Sequence, residues 1–446
     1  MNSNIISDKM DRKTKNLFPI LICTVSVLLI LFGIRISILS ILAFAVLSAA
    51  VIFARLENVF TIMFFLIPFA NIFKMDFRGT SLFTYLQLFF VARIIIRDLR
   101  ITSRFLIAWI ILFILQLLGS RMSLSLLIKQ AVIPLLVCGS AVLIGGMETK
   151  ITISLSIGVV VSGLVASFPN LFPGLQLFLH RVIAYDLGGR FDRFTGLYSD
   201  PNYFSVVVLS TTLGILTLVN AKRIDNRWLL LCIPMLYFGV LTISKMFFFM
   251  LLVLYLIFIW QCFHTQKYRK AAMSFAVILF LMLGIVVGKI DIFNNFFQRI
   301  SVVGDLSTGR IRIWKDYLAY FVTHPIHLII GNGIGSEPLH GPAHNTLIDF
   351  LYYYGLIGTI LFFRIIVRSV PRHQPITIMN GCVLLGMLFM SMSLSYLEAY
   401  DFGLLMSFGI CYLLMGNHAG ASVSSKIEDH LAQGEAYANQ RDYSSI

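Results

Sequence analysis

The chain has 446 residues, of which 58% are hydrophobic and only 13% are charged, and its formal net charge is +14. One soluble core could not bury this much apolar surface, so the composition excludes an ordinary soluble domain and indicates a membrane protein. The basic residues form short clusters between apolar runs rather than one stripe, which is typical of topology signals and excludes a nucleic-acid-binding surface.

Apolar runs long enough to cross a bilayer, about 20 residues each, recur along the chain. The first follows a basic tail at residues 1–16 and lacks a signal-peptide cleavage site, so we predict a retained first helix. The fold class is therefore an all-α polytopic membrane protein of about fourteen helices (range 12–14), with one transmembrane domain at 17–416. The predicted spans lie near residues 17–34, 36–54, 57–73, 80–96, 104–119, 124–145, 151–168, 202–219, 228–243, 246–263, 271–289, 344–364, 376–396 and 402–416.

Basic clusters predict the orientation of these spans. With the amino terminus in the cytoplasm, four Lys/Arg clusters fall on the cytoplasmic side, as the positive-inside rule requires. Both termini are then cytoplasmic, and the polar segment 417–446 is predicted to be an extension with little fixed structure. The same orientation places the two longest loops, 169–201 and 290–343, outside, together with a tight hairpin at Ser244-Lys245.

Two arginines stand near the end of the first outer loop. Arg190 and Arg193 can each direct a guanidinium fork onto two phosphate oxygens, and a guanidinium keeps its charge at any physiological pH. The alternative is that both extend to lipid head groups, as juxtamembrane arginines commonly do. Asp200 followed by Pro201 predicts a helix start, with aspartate as the N-cap and proline in the first turn.

A short amphipathic helix is predicted in the second outer loop. Ser307 and Thr308 can cap it, and His324-Pro325 ends it. One side carries several apolar residues, which predicts that the helix lies along the membrane surface. These residues are Ile311, Trp314, Leu318 and Phe321.

Three further cations lie on the predicted outer face. Arg310 and Arg312 begin the surface helix, where unpaired backbone N–H groups also favour an anion, so the pair suits a diphosphate. The alternative is a solvated helix with incidental charges. Lys245, between two apolar helices, can contact the same anion or simply anchor the hairpin turn.

His344, followed by Asn345, opens the span near 344–364 and is a candidate general base. Imidazole is the side chain whose ordinary pKa permits proton transfer near neutral pH. The alternative is a helix-capping or interfacial histidine. Four histidines in this region also permit a zinc hypothesis, but no cysteine and only one carboxylate, Glu337, accompany them, so we predict no metal. The four are His324, His327, His340 and His344.

Three other polar positions are candidates for function. Lys129 lies within a predicted span, and intramembrane charges commonly have functional roles. Glu398 and Asp401 lie at an outer helix junction, where either can pair with an arginine. A glycine-rich segment at 331–335 lacks the strand and long helix of a nucleotide-binding loop, so its glycines indicate a sharp turn or a close backbone approach.

Seven short motifs follow one another in a characteristic order between residues 189 and 360. They are Arg193-Phe194-Thr195-Gly196, Asp200-Pro201-Asn202, Thr242-Ile243-Ser244-Lys245, Thr308-Gly309-Arg310 with Trp314, His324-Pro325, Gly331-Asn332-Gly333-Ile334-Gly335, and His344-Asn345 ahead of Tyr354-Gly355-Leu356-Ile357-Gly358. The ordered set resembles the O-antigen ligase and O-antigen polymerase superfamily. The rest of the chain matches that family only as a series of spans.

This resemblance implies a GT-C-like glycosyltransferase architecture and a metal-independent, inverting transfer without a cofactor. The donor would be an oligosaccharide linked to undecaprenyl diphosphate. Arg193 and Arg310 match the arginines that hold the diphosphate, and His344 matches the histidine proposed to activate the acceptor hydroxyl. Lys245 departs from the family, whose hairpin usually carries arginine, so it keeps the charge without the bidentate geometry.

The resemblance implies a bacterial polysaccharide polymerase at the outer side of the inner membrane, with membrane lipids and a chain-length regulator as further candidate partners. A ligase acting on lipid A core or on a protein is the enzymatic alternative. Ligases of the superfamily tend to have a larger loop before the His-Asn helix, so the loop at 290–343 favours a polymerase. A lipid-linked oligosaccharide flippase is the alternative of another class, although charges in outer loops and the lack of a repeat disfavour it.

Overall fold

The protein is described by a computed structural model, and its described part is helical. It comprises residues 2–75, 81–98, 103–118, 124–144, 146–172, 174–176, 179, 193–264, 309–334, 336, 339, 343–369 and 378–415. These residues contain no β-strand, only an isolated antiparallel bridge between Lys74 and Ser81. Arg190, the predicted span 271–289, the Ser307-Thr308 cap and the tail 417–446 lie outside the described residues.

Every predicted span except 271–289 coincides with a helix. In chain order the helices are α1 (Asn2–Gly33), α2 (Ser37–Phe53), α3 (Leu56–Leu66), α4 (Leu82–Arg93), α5 (Ser103–Gln116), α6 (Leu124–Leu143), α7 (Glu148–Ser167), α8 (Pro201–Asn220), α9 (Cys232–Leu241), α10 (Lys245–His264), α11 (Arg310–Thr323), α12 (Pro325–Ile330), α13 (Thr346–Ser369), α14 (Ile378–Ser391) and α15 (Phe402–Leu414). Short 3₁₀ segments at Ile67–Phe69, Pro169–Leu171, Asn226–Leu231 and Tyr396–Glu398 and a π-helix at Ile94–Asp98 complete them. The helix α1 begins well before residue 17, so the basic tail continues the first helix.

The apolar helices indicate a helical membrane protein. Within the described part, α7, α8 and residues Thr346–Val367 of α13 are long and apolar enough to cross a membrane, and shorter apolar helices surround them. Large apolar side chains are exposed on the outer helices, for example Ile38, Phe53 and Ile96. Exposure of this kind is unfavourable in water and favourable against lipid.

The helix α8 lies at the centre of the bundle. Nearly all of its residues are buried, and it packs against α7, α9 and α14. Its threonines donate their hydroxyl protons to carbonyl oxygens one turn earlier, as Thr211 does to Val207 at 2.6 Å. These bonds satisfy polar groups inside an apolar bundle, so α8 can be buried on every side.

The helix α13 is broken at Gly355, whose φ of 64° and ψ of −176° are not helical. The loop after α12 enters this break. Asn332 donates its backbone N–H to the Tyr352 carbonyl at 2.8 Å, and Gly333 donates to Tyr353 at 3.0 Å. The glycine-rich segment therefore makes a close backbone approach, as its sequence indicates, and its partner is another part of the chain.

The surface helix α11 begins at Arg310, and its N-cap Gly309 adopts a left-handed φ of 81°. Tyr317 and Phe321 are buried, and the Tyr317 ring packs edge-on against Tyr352 of α13 at 5.1 Å. Ile311 and Leu318 are instead exposed, so the predicted apolar side does not form one buried face. The helix ends at His324-Pro325, as predicted, because α12 starts at that proline.

Candidate functional site

Polar residues from four parts of the chain meet at one end of the helix bundle. They come from the start of α8, the α9–α10 turn, the start of α11, and the segment before α13 with the α14–α15 connection. Hydrogen bonds link these segments across long sequence separations. The meeting of sequence-distant polar residues at one end of apolar helices defines the candidate site.

The Arg193 side chain is buried, with 6% of its surface exposed. Its Nε donates to the carbonyl oxygen of Thr242 at 2.9 Å, and its Nη2 donates to Oδ1 of Asn202 at 3.0 Å. The adjacent Phe194 N–H donates to the Leu241 carbonyl at 3.0 Å. Arg193 therefore joins the start of α8 to the α9–α10 turn and brings its charge to that junction.

The start of α8 has the predicted cap. Asp200 is the N-cap, its Oδ1 accepts the Asn202 N–H at 2.7 Å, and Pro201 occupies the first turn. Because Asn202 also accepts from Arg193, the cap connects the carboxylate of Asp200 with the guanidinium of Arg193.

His344 lies just before α13 and has a left-handed φ of 48°. Its backbone N–H donates to the Ser395 hydroxyl at 3.0 Å, and Asn345 caps α13 by accepting the Leu347 N–H at 3.0 Å. Asn345, not His344, is thus the capping residue. A non-glycine residue with positive φ is uncommon, and such residues cluster at active sites and ligand-binding sites.

Trp314 places the start of α11 beside the segment that contains His344. The indole N–H of Trp314 donates to the carbonyl oxygen of Ala343 at 2.9 Å, which ties α11 to the residue before His344. Arg310 precedes Trp314 by four residues, so both side chains lie on the same side of α11. The half-buried Arg310 therefore starts from the side of α11 that Trp314 ties to the segment before α13.

Electrostatics at His344 favour the neutral imidazole. Burial lowers the pKa of His344 below its ordinary value of 6.5, the nearby Arg310 guanidinium lowers it further, and the Asp200 carboxylate opposes both effects. The three groups are therefore close enough to interact. A neutral imidazole beside a fixed cation can accept a proton while the cation binds an anion.

The other predicted cations occupy different places. Arg312 is exposed and lies about 200° around α11 from Arg310, so the structure does not bring it to His344. Lys245 is half-buried at the first position of α10, beside the turn that Arg193 contacts. In that turn Ile243 has a φ of 49°, a second non-glycine residue with left-handed backbone at this end of the bundle.

Asp401 and Lys129 lie near one another. The Asp401 carboxylate is buried and accepts from the Tyr198 hydroxyl at 2.7 Å and the Tyr396 hydroxyl at 3.0 Å. Lys129 stands over the ring of Tyr400, the residue before Asp401, at 4.3 Å from its centroid. Asp401 therefore contacts two tyrosines, and no ion pair between it and an arginine occurs among the described residues.

Sequence reasoning missed Ser395 and Tyr203. Ser395 accepts the His344 N–H through its hydroxyl, and its carbonyl accepts the Tyr203 hydroxyl at 2.9 Å. Nothing around Ser395 forms a recognisable motif. Tyr203, directly after the Asp-Pro-Asn cap, is the stronger signal, because a tyrosine in the first turn of an apolar helix can direct its hydroxyl into a polar site.

Comparisons with known proteins do not assign the site. No protein-family model, no curated protein and no solved structure matches this chain.

Proposed function

We propose that this chain is a membrane glycosyltransferase that polymerises a surface polysaccharide. It transfers an oligosaccharide from undecaprenyl diphosphate to the end of another repeat unit, with inversion and without a metal ion. The cluster of Arg310, Asp200 and His344 carries this proposal, because it combines an anion-binding group with a poised base. The order of motifs that resembles the O-antigen polymerase and ligase superfamily supports the same chemistry.

The reaction forms one C–O bond and breaks another at the anomeric carbon. His344 accepts the proton of the acceptor hydroxyl as its oxygen attacks, and the diphosphate departs with the bonding electron pair. Negative charge grows on the leaving group, so fixed guanidinium groups stabilise the transition state more than the ground state. Arg193 and Arg310 are the proposed diphosphate-binding residues, with Lys245 and Arg190 as further candidates. Arg312 lies on the other side of α11 from Arg310, so we do not propose that it binds the diphosphate.

The two neighbours of His344 have distinct roles in this proposal. Arg310 favours the neutral imidazole, so the base is available at neutral pH. Asp200 acts in the opposite direction and stabilises the imidazolium once the proton has been taken up. Because the same Arg310 binds the departing diphosphate, proton uptake and leaving-group departure take place beside one cation.

The proposed setting is the bacterial inner membrane. About fourteen spans with both termini cytoplasmic would place this end of the bundle outside, in a GT-C-like arrangement. Lipid-linked donor and growing chain would then meet at the outer leaflet, with a chain-length regulator as a further partner. The basic clusters between the helices support this orientation.

A flippase is the alternative function to a glycosyltransferase, because α13 is broken and transporter helices often are. In transporters the broken backbone coordinates the cargo. Here the carbonyl oxygens of Tyr352 and Tyr353 accept N–H groups from Asn332 and Gly333, so protein backbone occupies the break. This observation favours a structural role for the break and supports transfer over transport.

The test is electrophoresis of surface polysaccharide from a deletion strain complemented with wild type or His344→Ala, at matched membrane levels. A polymerase deletion leaves single repeat units on the normal acceptor, and only wild type restores the ladder. Long chains that accumulate on the carrier lipid indicate a ligase. Carrier-linked single units that accumulate on the cytoplasmic side indicate a flippase. A full ladder with His344→Ala contradicts the catalytic role of His344.

A further inference from the structure

The nearly parallel aromatic rings of Tyr320, His324 and His327 lie together where α11 meets α12. The Tyr320 and His324 centroids are 4.4 Å apart with an interplanar angle of 19°, and the two histidine centroids are 5.6 Å apart with an angle of 2°. The Tyr320 centroid also lies 5.7 Å from that of His327. His324 is exposed, and the other two residues are half-buried. These three residues form the ring cluster.

A chain of hydrogen bonds fixes the tautomer of His327. Asn332 donates from Nδ2 to the Tyr352 carbonyl oxygen at 3.2 Å, so its Oδ1 accepts the Tyr320 hydroxyl proton at 2.8 Å. That hydroxyl has only one proton to donate. Nδ1 of His327, which lies 2.5 Å from the same hydroxyl oxygen, must therefore carry a proton and donate it. In the neutral imidazole of His327, Nε2 then has a lone pair that can accept a hydrogen bond.

His324 has the same tautomer. Its Nδ1 lies 3.2 Å from the carbonyl oxygen of Tyr320, which can only accept, so Nδ1 carries the proton. The Thr323 hydroxyl donates to the Ala319 carbonyl at 3.1 Å, and its oxygen lies 2.9 Å from the same Nδ1. Within the described part of the chain, Nε2 of neither histidine makes a hydrogen bond. The ring cluster therefore presents two acceptor nitrogens.

The ring cluster begins on the side of α11 that packs against the helix bundle. Tyr320 lies against Tyr352 of α13, with 5.7 Å between the ring centroids. Val322, which is 81% exposed, lies about 200° around the helix from Tyr320. Arg310 precedes Tyr320 by ten residues of the same helix, a distance of about 15 Å. One saccharide of a few rings can therefore reach from the ring cluster to the proposed diphosphate-binding residue.

The chemistry of the ring cluster suits a ligand with hydroxyl groups. Two fixed acceptor nitrogens can accept from hydroxyl donors, and aromatic rings provide apolar faces for the C–H groups of a sugar. The residue one turn before Tyr320 on the same side of α11, Asp316, is an acid and not a base. No group of three His, Cys, Asp or Glu residues that could hold a metal ion occurs in the part of the chain that is described.

We propose that the ring cluster is a saccharide subsite, which binds a neutral sugar residue several rings away from the bond that is formed. The proposal rests on the proposed function for the identity of the saccharide. The Nε2 atoms of His324 and His327 accept hydrogen bonds from sugar hydroxyl groups, and the rings contact the apolar face of the sugar. Arg310 and His344 act at the reacting end, whereas the ring cluster holds a distant part of the same chain.

Binding of oligosaccharides to the purified full-length protein in phosphatidylcholine nanodiscs tests the subsite. The probe is a piece of several repeat units, released by partial acid hydrolysis from the surface polysaccharide of the wild-type strain. We expect His324→Phe and His327→Phe each to weaken binding about tenfold, because each keeps a ring and removes one acceptor nitrogen. Val322→Ala, on the opposite side of α11, is the matched control and should bind as wild type does.

Thermal melts confirm that the variants are folded. If His327→Phe unfolds because the bond to Tyr320 is lost, the exposed His324 alone decides the outcome. The subsite is overturned if wild type does not bind the probe, if the folded phenylalanine variants bind it as wild type does, or if Val322→Ala loses as much affinity.

Two competing ligands are separated in the same assay. Loss of binding on addition of EDTA would show that a metal ion is needed, and this result overturns the subsite. Displacement of the probe by phosphatidylglycerol in the nanodiscs would show that the ring cluster binds lipid head groups, with the same consequence.

The proposed function is tested separately by the polysaccharide ladder. Weakened binding in His324→Phe together with a full ladder in His344→Ala leaves a saccharide site and removes the catalytic role of His344. Unchanged binding in His324→Phe together with a lost ladder in His344→Ala leaves the proposed transferase and removes the subsite.

Discussion

Gly331 and Gly355 lie with their backbones in contact, so that the loop after α12 fills the break in α13. A Cβ atom on Gly355 would overlap with the amide nitrogen of Gly331 and the carbonyl group of Ile329. Both glycines also have positive φ, 82° and 64°. Backbone conformation and space therefore exclude a side chain independently, and this contact fixes α13 relative to the segment that follows the surface helix.

Gly355→Ala is expected to lower the free energy of unfolding by about 3 kcal/mol, from backbone strain and overpacking together. Activity should fall as well, because His344 precedes the displaced half of α13. Thermal melts of the detergent-solubilised protein measure the first effect. Gly146→Ala is the control: Gly146 has a φ of 87°, but nothing lies within 4 Å of its added Cβ. Equal losses in the two variants would contradict the role of the contact.

The pH dependence of transfer should report the charges around His344. The base form accumulates as pH rises through the pKa of His344, which burial and Arg310 hold below 6.5. Activity should therefore increase with pH in the acidic range and level off by neutrality. In Arg310→Gln the cation that lowers this pKa is absent, so the pKa of His344 rises. The acidic limb of the pH–activity profile, over which activity increases with pH, therefore moves to higher pH.

Asp200→Asn should move the same limb to lower pH, because it removes the charge that raises the pKa of His344. Asparagine caps helices as well as aspartate does, so the start of α8 should be preserved. Arg312→Gln serves as the control and should leave the limb in place, since Arg312 is exposed elsewhere on α11. A limb that does not move in either charge variant would show that His344 is not the titrating base.

Ser395→Ala should lower kcat about fivefold without unfolding the protein, because the backbone of His344 loses one hydrogen bond. The acidic limb of the pH profile should persist, since the imidazole itself is retained. Ser393→Ala is a matched control two residues away, whose hydroxyl bonds only to the local Met390 carbonyl at 2.9 Å. A larger loss in Ser393→Ala than in Ser395→Ala would contradict the positioning role.

Arg193→Gln should destabilise the protein by about 3 kcal/mol, because a buried guanidinium that bridges Thr242 and Asn202 is lost. Arg312→Gln should change stability by no more than about 0.5 kcal/mol, since that arginine is exposed. Unfolding temperatures of the two variants compare them directly. Equal unfolding temperatures would mean that Arg193 does not join α8 to the α9–α10 turn.

Much of the helical framework could be predicted from the sequence, because apolar runs and helix caps are local signals. Asp200-Pro201 predicts the start of α8 correctly, and His324-Pro325 predicts the end of α11. The break at Gly355 could not be predicted, because a glycine within an apolar helix is usually tolerated. At the break, Asn332 and Gly333 supply N–H groups from another part of the chain to the carbonyl oxygens of Tyr352 and Tyr353, and no local pattern encodes this contact.

The candidate site was predictable in its residue types and less so in its geometry. Charge and imidazole chemistry indicate Arg310 and His344 in the sequence, and the structure places them close enough to interact. Closeness in sequence suggests the same role for Arg312 as for Arg310, but residues two apart on a helix face different directions. The contribution of Ser395 depends on a long-range contact with His344, which no local pattern encodes.

The most direct test of the proposed chemistry is the single-turnover rate of His344→Asn with lipid-linked oligosaccharide extracted from the deletion strain. Asparagine tolerates the left-handed backbone at this position, so the variant removes the imidazole and keeps the local conformation. The rate should fall about 10³-fold, as expected for loss of a general base, while the unfolding temperature is unchanged. A folded His344→Asn enzyme that transfers at the wild-type rate would contradict the proposal.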